Sequence, residues 1–199
     1  MHVVERLQER GFDAYVVGGA VRDLLLGKKP KDFDVATDAT PEQIKQCFRS
    51  ARIIGRRFQI VHVRSGREII EVTTFRGHHD SQDAGQAAQA SQSGRLLRDN
   101  VYGSLDDDAR RRDLTINALY YDTVAHTLID KMNGQADVAA RIIRIIGAPA
   151  DRYREDPVRM LRGRPVCCAT QIRHRSQHPK RHRRDRHLVT GHSPCAIIR

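Results

Sequence analysis

Two aspartates, Asp32 and Asp34, have a residue type and a spacing that could do chemistry. They stand at the start of a predicted strand, where a period of two places both carboxylates on one face. Neighbouring carboxylates repel each other unless a cation lies between them, and Mg²⁺ bridges carboxylates to substrate phosphates. The pair therefore indicates a metal site, although solvated turns and helix caps show the same pattern.

A glycine pair, Gly18 and Gly19, lies upstream of the aspartates, after an apolar run at residues 14–17 and before a predicted helix. Glycines let a phosphate approach the backbone closely, and the free N–H groups of a helix N-terminus favour an anion. Arg22, one turn into that helix, can add a charge-assisted contact. A tight turn is the alternative, but the combination with the aspartates favours a phosphate-and-metal site.

A third acid, Glu71, lies in the middle of a predicted strand at residues 68–74. Burying it would cost several kcal/mol unless a cation or a partner offsets the charge. An inward Glu71 would complete a carboxylate triad with the two aspartates. A solvent-facing Glu71 on an alternating strand is the other interpretation, and spacing alone leaves both open.

The elements that must position these residues alternate between helix and strand, which predicts an α+β fold with a mixed sheet flanked by helices. Thr40 and Pro41 form a helix start with an N-cap. Ser104, followed by three acids, predicts a helix that runs through Leu119. The remaining predicted elements are helices at residues 21–26 and 137–141 and strands at residues 14–17, 33–36, 52–54, 59–64, 68–74, 126–130 and 142–146.

The composition suits one domain of residues 1–150 with a small appendage and a polar, mobile loop at residues 77–95. Of the net charge of +11, residues 163–199 supply eight charges, so the main body is only mildly basic. The four cysteines form no C-x-x-C pair. No segment approaches the roughly 18 apolar residues of a membrane span. We therefore expect a soluble, cytoplasmic protein with no membrane partner.

Several motifs follow one another in a fixed order across residues 11–162. They are Gly18 to Asp23, Lys31 to Val35, Arg111 to Asp113 with Thr115 and Asn117, then Asp130, Gly134 and Asp137, and finally Arg154 to Arg162. This ordered set resembles the head domain of class II nucleotidyltransferases, the family of tRNA CCA-adding enzymes and bacterial poly(A) polymerases. The resemblance implies a polymerase β-like nucleotidyltransferase head and the start of a helical neck at residues 151–162.

The resemblance also implies a two-metal site. Asp32 and Asp34 would hold two Mg²⁺ ions, one at the primer 3′-hydroxyl and one at the leaving pyrophosphate. Glu71 would sit at the metal that activates the primer. Asp113 joins these three as a candidate catalytic residue.

The nucleotide-binding residues that the resemblance implies fall into two groups. Arg112, Asp113 and Asn117 are predicted on one helix, where Arg112 and Asp113 would grip the ribose and the triphosphate. Asp156 and Arg159 would read the base, and Arg162 completes the set. Without the family, the second group could equally form salt bridges along a helix.

The subfamily depends on residues 53–63, which resemble the segment associated with bacterial poly(A) polymerases. The implied activity is template-independent addition of AMP from ATP to RNA 3′ ends, so ATP and an RNA 3′ end are the expected partners. The alternative is that this segment is only a basic turn on the surface, and it would then not decide between the two subfamilies. A CCA-adding enzyme and a non-catalytic RNA-binding fragment remain the alternatives.

The resemblance stops at Arg162, where the family continues into its neck helix but this chain continues with Gly163 and a tail rich in His and Arg. Plausible codons for residues 166–174, read one base later, restore a family-like run. We therefore hypothesise a one-base shift of the reading frame after codon 162, which sequencing the gene would test. Residues 163–199 are expected to be disordered and without evolved function, with a basic RNA-contacting arm as the alternative. Weak or absent poly(A) tailing and poor solubility are expected of the 199-residue chain.

Overall fold

The computed structural model describes residues 2–55, 59–77, 102–155 and 173–174. Its helices and strands alternate along the chain, as the sequence predicts. In chain order they are α1 His2–Gln8, β1 Ala14–Val17, α2 Gly19–Leu25, β2 Asp34–Thr37, α3 Pro41–Cys47, β3 Arg52–Ile54, β4 Ile60–Ser65, β5 Glu68–Thr74, α4 Leu105–Arg111, a 3-10 helix Thr115–Asn117, β6 Leu119–Asp122, β7 Thr127–Asp130, α5 Gly134–Ala139, β8 Ile142–Ile143, α6 Pro149–Glu155 and β9 Arg173–His174.

Seven strands form one mixed sheet in the order β3-β4-β5-β2-β1-β6-β7. β2 and β5 run parallel, with Asp34 opposite Glu71. The other described pairs of this sheet are antiparallel, including β1 with β2, where Val17 lies opposite Asp34. The predicted mixed sheet is confirmed, and the register brings the end of β1 and the start of β2 beside the middle of β5.

The two faces of the sheet are covered differently. On one face, α1 and α3 bury Val3, Leu7 and Ile44 against the alternating apolar residues of β1, β2, β4 and β5. Each fully buried side chain of this kind contributes about 1.5–3 kcal/mol. On the other face, Phe75, Tyr120 and Ala109 of α4 form a second cluster over β1 and β2. Because side chains alternate along a strand, Asp34 and Glu71 belong to the face of this second cluster.

Both predicted helix starts are confirmed by their caps. The Thr40 hydroxyl accepts from the Gln43 N–H at 3.3 Å, and the Gln43 side chain accepts from the Thr40 N–H at 2.8 Å. Ser104 and Asp107 make the same reciprocal arrangement at the start of α4. Such caps satisfy N–H groups that a helix end leaves unpaired.

The predicted helix through Leu119 is wrong, because α4 ends at Arg111. Arg112 takes an extended conformation, and Leu114 forms a β-bridge with Ile145. The Thr115 N–H donates to the Arg144 carbonyl at 3.0 Å, which fixes this segment against β8 and its continuation. Tertiary pairing has overridden local helix propensity. The following residues form β6, a strand that the sequence did not predict.

Smaller differences concern element ends. The second strand begins at Asp34, one residue later than predicted, so Asp32 precedes the strand and does not share its alternation. The predicted helix at residues 137–141 is α5, Gly134–Ala139, and the predicted strand at residues 142–146 is reduced to Ile142–Ile143. α6 overlaps the predicted start of the neck.

Most of the predicted loop and most of residues 156–199 lie outside the described residues. Within the described part of the chain, no helix has the length and apolarity needed to cross a membrane.

The glycine at the start of α5 is required by packing. A Cβ on Gly134 would collide with the Thr115 carbonyl oxygen and lie 2.9 Å from the Thr115 carbonyl carbon. We expect Gly134→Ala to lower the free energy of unfolding by about 1–3 kcal/mol, the usual cost of overpacking. Urea denaturation measures this change in the free energy of unfolding. Gln135→Ala, on the exposed side of the same helix, is the control. Equal midpoints for the two variants would contradict this packing.

Candidate active site

Three adjacent strands bring the predicted site residues to one edge of the sheet. Gly18 follows β1, Asp34 begins β2, and Glu71 lies opposite Asp34 on β5. Neighbouring strands are about 4.8 Å apart, so Glu71 and Asp34 are direct cross-strand neighbours. Asp32 lies in the exposed loop that leads into β2. We call Asp32, Asp34 and Glu71 the carboxylate cluster.

The charges in the carboxylate cluster repel one another. Loss of hydration and the charges of Glu71 and Asp32 raise the pKa of Asp34, while Arg112 works against the rise. Glu71 is not buried, since 49% of its side chain is exposed. Of the two interpretations that the sequence left open, the structure therefore has the exposed Glu71, and its charge still acts on Asp34. A cation beside Asp34 would relieve the repulsion.

Arg112 is held in place by a partly buried network. Its Nη2 lies 2.9 Å from Asp108 Oδ2, and its Nε lies 2.9 Å from the Tyr120 hydroxyl oxygen. Tyr120 donates its hydroxyl to the same Asp108 oxygen at 2.6 Å. Burial raises the pKa of Tyr120, which therefore keeps this proton. Two side chains thus fix the direction of one guanidinium.

The remaining edge of that guanidinium faces the glycine turn. Gly18 has a φ of +79°, a conformation that favours glycine. A Cβ on Gly18 would lie 3.9 Å from Arg112 Nη1 and 4.0 Å from Asp34 Oδ2. Arg112 Nη1 and Asp34 Oδ2 therefore both lie beside Gly18, so a positive and a negative group adjoin the glycine turn.

Arg22 does not point freely toward the glycine turn. Its Nη1 donates to Asn117 Oδ1 at 2.7 Å and its Nε donates to Asp23 Oδ1 at 2.9 Å. The residue is 8% exposed, and its Nη2 would lie 3.4 Å from a Cβ on Gly19. Arg22 thus packs beside the glycine turn, with its guanidinium held by Asn117 and Asp23.

Arg112, Asp113 and Asn117 do not share a helix, which corrects the prediction. Arg112 caps α4, whereas Asn117 ends the 3-10 helix. The fold still brings Arg112 and Asn117 together, because Arg112 Nη1 lies 3.5 Å from the Asn117 carbonyl oxygen. The Asp113 carbonyl accepts from the Ile146 N–H at 3.0 Å. Asp156, Arg159 and Arg162 lie outside the described residues.

Other residues of the matched motifs build the scaffold and not the site. Asp137 accepts from the Thr115 hydroxyl at 2.6 Å and from Arg144 at 2.9 Å. Asp130 accepts from the Gly134 N–H at 2.9 Å and from the next N–H along α5 at 2.8 Å. These contacts fix the 3-10 helix, and with it the position of Asn117.

Sequence reasoning missed three residues of the site: Asp108, Tyr120 and His62. The i, i+4 spacing of Asp108 and Arg112 is a local pattern that could have revealed their pairing. His62 lies opposite Glu71 on β4, with its Nε2 3.4 Å from Glu71 Oε1. That contact depends on the strand register, which spacing alone does not give.

The donor set fits a magnesium site of the open kind. Among the described residues no group of three or more His, Cys, Asp or Glu side chains is arranged as a metal cluster. Mg²⁺ usually takes one or two carboxylates and fills its other positions with water and substrate phosphates. Asp32 and Asp34 supply such oxygen ligands, and a cation would offset the charges of Glu71 and Asp32 that act on Asp34.

A mixed sheet with carboxylates at one edge, beside a glycine turn and a fixed arginine, defines the head of a nucleotidyltransferase. Residues 14–144 match the family described as the Poly A polymerase head domain, and the chain belongs to this family. The family resemblance and the fold predicted from the sequence are thereby confirmed.

Within the family, the bacterial poly(A) polymerases are the nearer branch. The chain is 56% identical to Poly(A) polymerase I of Salmonella typhimurium over 163 residues, which cover 81% of this chain and 35% of that protein. It is 39% identical to a CCA-adding enzyme of Staphylococcus aureus over 160 residues, 80% of this chain and 38% of that enzyme. The chain thus spans about a third of the length of these relatives.

A solved structure supports the same fold. The Bacillus stearothermophilus CCA-adding enzyme in complex with CTP superposes with a TM-score of 0.67 at 36% identity. The match covers 83% of this chain and 37% of that enzyme.

Proposed function

We propose that this chain is the head of a polynucleotide adenylyltransferase, which transfers AMP from ATP to the 3′ end of RNA without a template. The observation that carries the proposal is that Asp34 of the carboxylate cluster and Arg112 both lie beside the Gly18 turn. In the transfer, the RNA 3′ oxygen bonds to the α-phosphorus of ATP, and the bond from that phosphorus to pyrophosphate breaks.

Asp32 and Asp34 would hold two Mg²⁺ ions, and Glu71 would lie beside the attacking end of the RNA. When bound, the ions lower the pKa of the 3′-hydroxyl and neutralise charge on the leaving pyrophosphate. Arg112 offers Nη1 to a phosphate oxygen while Asp108 and Tyr120 hold its other nitrogens. A preorganised donor of this kind needs no rearrangement when charge develops.

The nucleotide would be held by residues around the 3-10 helix and by the chain that follows α6. Asn117 uses its Oδ1 to hold Arg22, and its Nδ2 has no hydrogen-bond partner among the described residues. We assign that amide and Asp113 to the ribose and triphosphate. Gly18 and Gly19 would let the triphosphate approach the backbone. The family resemblance assigns Asp156, Arg159 and Arg162 to the nucleobase.

The identity of the nucleotide that is added tests this function. The chain, in excess over an RNA primer with a free 3′-hydroxyl, would be given each of the four nucleoside triphosphates with Mg²⁺. We expect ATP to extend the primer slowly, in keeping with the weak tailing expected of this chain, and CTP not to extend it. Addition of CMP before AMP would instead indicate a CCA-adding enzyme, and unchanged RNA with intact binding would indicate a non-catalytic fragment. Because the proposed substrates are ATP and RNA, and Cys47 is a free thiol, we assign the activity to the cytoplasm.

A further inference from the structure

A cavity outside the carboxylate cluster has the chemistry of an anion site. It has a volume of about 440 Å³ and lies between the start of α1, the end of α3 and the end of β4. Its basic lining residues are His2, Arg6, Arg49 and Arg64, with Phe48, two serines and two valines, and none of its lining residues is acidic.

The arginine charges of this cavity are not neutralised by ion pairs among the described residues, whereas Glu5 lies near His2. Among the residues that the structure describes, no carboxylate forms an ion pair with Arg6, Arg49 or Arg64. Like charges gathered at one concave place repel each other, and a bound anion would remove that repulsion. Guanidinium groups and hydroxyls are also the donors that phosphate oxygens prefer.

The walls of the cavity are fixed by contacts between its three elements. The Arg6 guanidinium lies 5.5 Å from the centre of the buried Phe48 ring, which joins α1 to α3. The Ser50 hydroxyl donates to the Arg64 carbonyl at 3.2 Å, and Arg64 Nε donates to the Gly66 carbonyl at 3.3 Å. The cavity is therefore formed before any ligand arrives.

Its size and place favour a nucleotide unit of RNA over a bare ion. The volume falls within the range of about 300–1,000 Å³ of sites that bind small molecules. The cavity adjoins Val63, which pairs with Ile70, the neighbour of Glu71. Val63 and Ile70 point into the core face, whereas Glu71 points to the opposite face. An occupant here cannot be the reacting 3′ end.

We propose that this cavity binds a backbone phosphate of the RNA substrate, away from its 3′ end. The inference rests on the proposed function for the choice of RNA as the polyanion. Arg49 and Arg6 would contact the phosphate, and the apolar floor around Phe48 would take the adjoining sugar or base.

Equilibrium binding of a fluorescent single-stranded RNA to the 199-residue chain tests the proposal. In about 0.15 M salt, where remote charges are screened, Arg49→Glu is expected to weaken binding about tenfold. The slope of log affinity against log salt should become shallower by about 0.7 for each phosphate that the variant no longer neutralises. Arg10→Glu, an equal charge reversal at an exposed residue just after α1, is the matched control and should change affinity less than about twofold. Thermal melts establish that each variant is folded, and Arg64→Glu replaces Arg49→Glu if the latter is not.

Equal effects of Arg49→Glu and Arg10→Glu, or no effect of either, would overturn the proposal. A different result would be that ATP or inorganic phosphate raises the melting temperature of the wild-type chain but not that of Arg49→Glu, while RNA affinity is the same in both. This result would assign the cavity to a free anion and overturn the RNA assignment. RNA affinity is read without catalysis. An Arg49-dependent affinity in a chain that transfers no AMP would therefore contradict the proposed function and leave this inference standing.

Discussion

Asp34→Asn is expected to reduce AMP transfer by about a thousandfold, because the change removes a metal ligand that supplies several kcal/mol of transition-state stabilisation. The amide is close in shape to the carboxylate, so the fold should persist. The measurement is the rate of RNA extension with ATP at saturating Mg²⁺. Asp106→Asn, a half-exposed carboxylate on α4 outside the carboxylate cluster, is the control and should leave the rate unchanged.

The same variant should be more stable than the wild-type chain when no metal is present. The pKa of Asp34 is raised in the folded state, so its ionisation costs stability as the pH rises above the ordinary value of 3.8. At neutral pH the uncharged amide of the variant avoids that cost, and Asp34→Asn should melt at a higher temperature. Below pH 3.8 the two chains should converge, since Asp34 is then protonated in both the folded and the unfolded state.

Magnesium should reverse this order of stability. Mg²⁺ stabilises only a chain that binds it in the folded state, so added Mg²⁺ should raise the melting temperature of the wild-type chain and not that of Asp34→Asn. An equal Mg²⁺-induced rise in both chains would show that the metal binds elsewhere. A lower melting temperature for Asp34→Asn without metal would contradict the repulsion within the carboxylate cluster.

Asp108→Ala is expected to lower the free energy of unfolding by about 3 kcal/mol, because removing one partner of a buried ion pair leaves the other charge uncompensated. Asp108 is 10% and Arg112 is 23% exposed, and Tyr120 donates to the same carboxylate. The reduction is measured by chemical denaturation. Asp106→Ala breaks the half-exposed pair with Lys131 and should cost on the order of 0–1 kcal/mol.

The network predicts a functional consequence as well. Without Asp108, the Arg112 guanidinium loses the partner that aims its Nη1 at the space beside Gly18. ATP binding should therefore weaken in Asp108→Ala at temperatures where the variant is fully folded, while RNA affinity should not change. A variant that loses stability but binds ATP with unchanged affinity would show that Arg112 does not need this carboxylate to reach the nucleotide.

Local chemistry made much of the site predictable from the sequence. The caps at Thr40 and Ser104 and the glycine turn are each decided within a few residues, and each has the expected position, whereas Asp32 precedes the strand on which it was predicted. The mixed sheet followed from the alternation of helices and strands. Glu71 was harder, because its place opposite Asp34 depends on β2 pairing with β5 across an intervening hairpin.

The failures share a cause, namely contacts between residues distant in sequence. The segment after Arg111 has helical propensity, yet its pairing with residues near Ile145 made it extended and led to β6. Arg22 stays a candidate phosphate ligand, but its hydrogen bond to Asn117, far along the chain, was not foreseen. Neither partner is visible from the local pattern, and the register that joins His62 to Glu71 is equally hidden.

The most direct test of adenylyl transfer follows both products from one reaction. The 199-residue chain would be mixed, in excess, with α-labelled ATP, Mg²⁺ and an RNA that ends in either a 3′-hydroxyl or a 3′-deoxy sugar. We predict that labelled AMP joins the hydroxyl RNA alone, with an equal amount of pyrophosphate released and nothing formed in EDTA. Label on the 3′-deoxy RNA, or release of pyrophosphate without extension of the RNA, would contradict a nucleotidyltransferase that uses the RNA 3′-hydroxyl as its nucleophile.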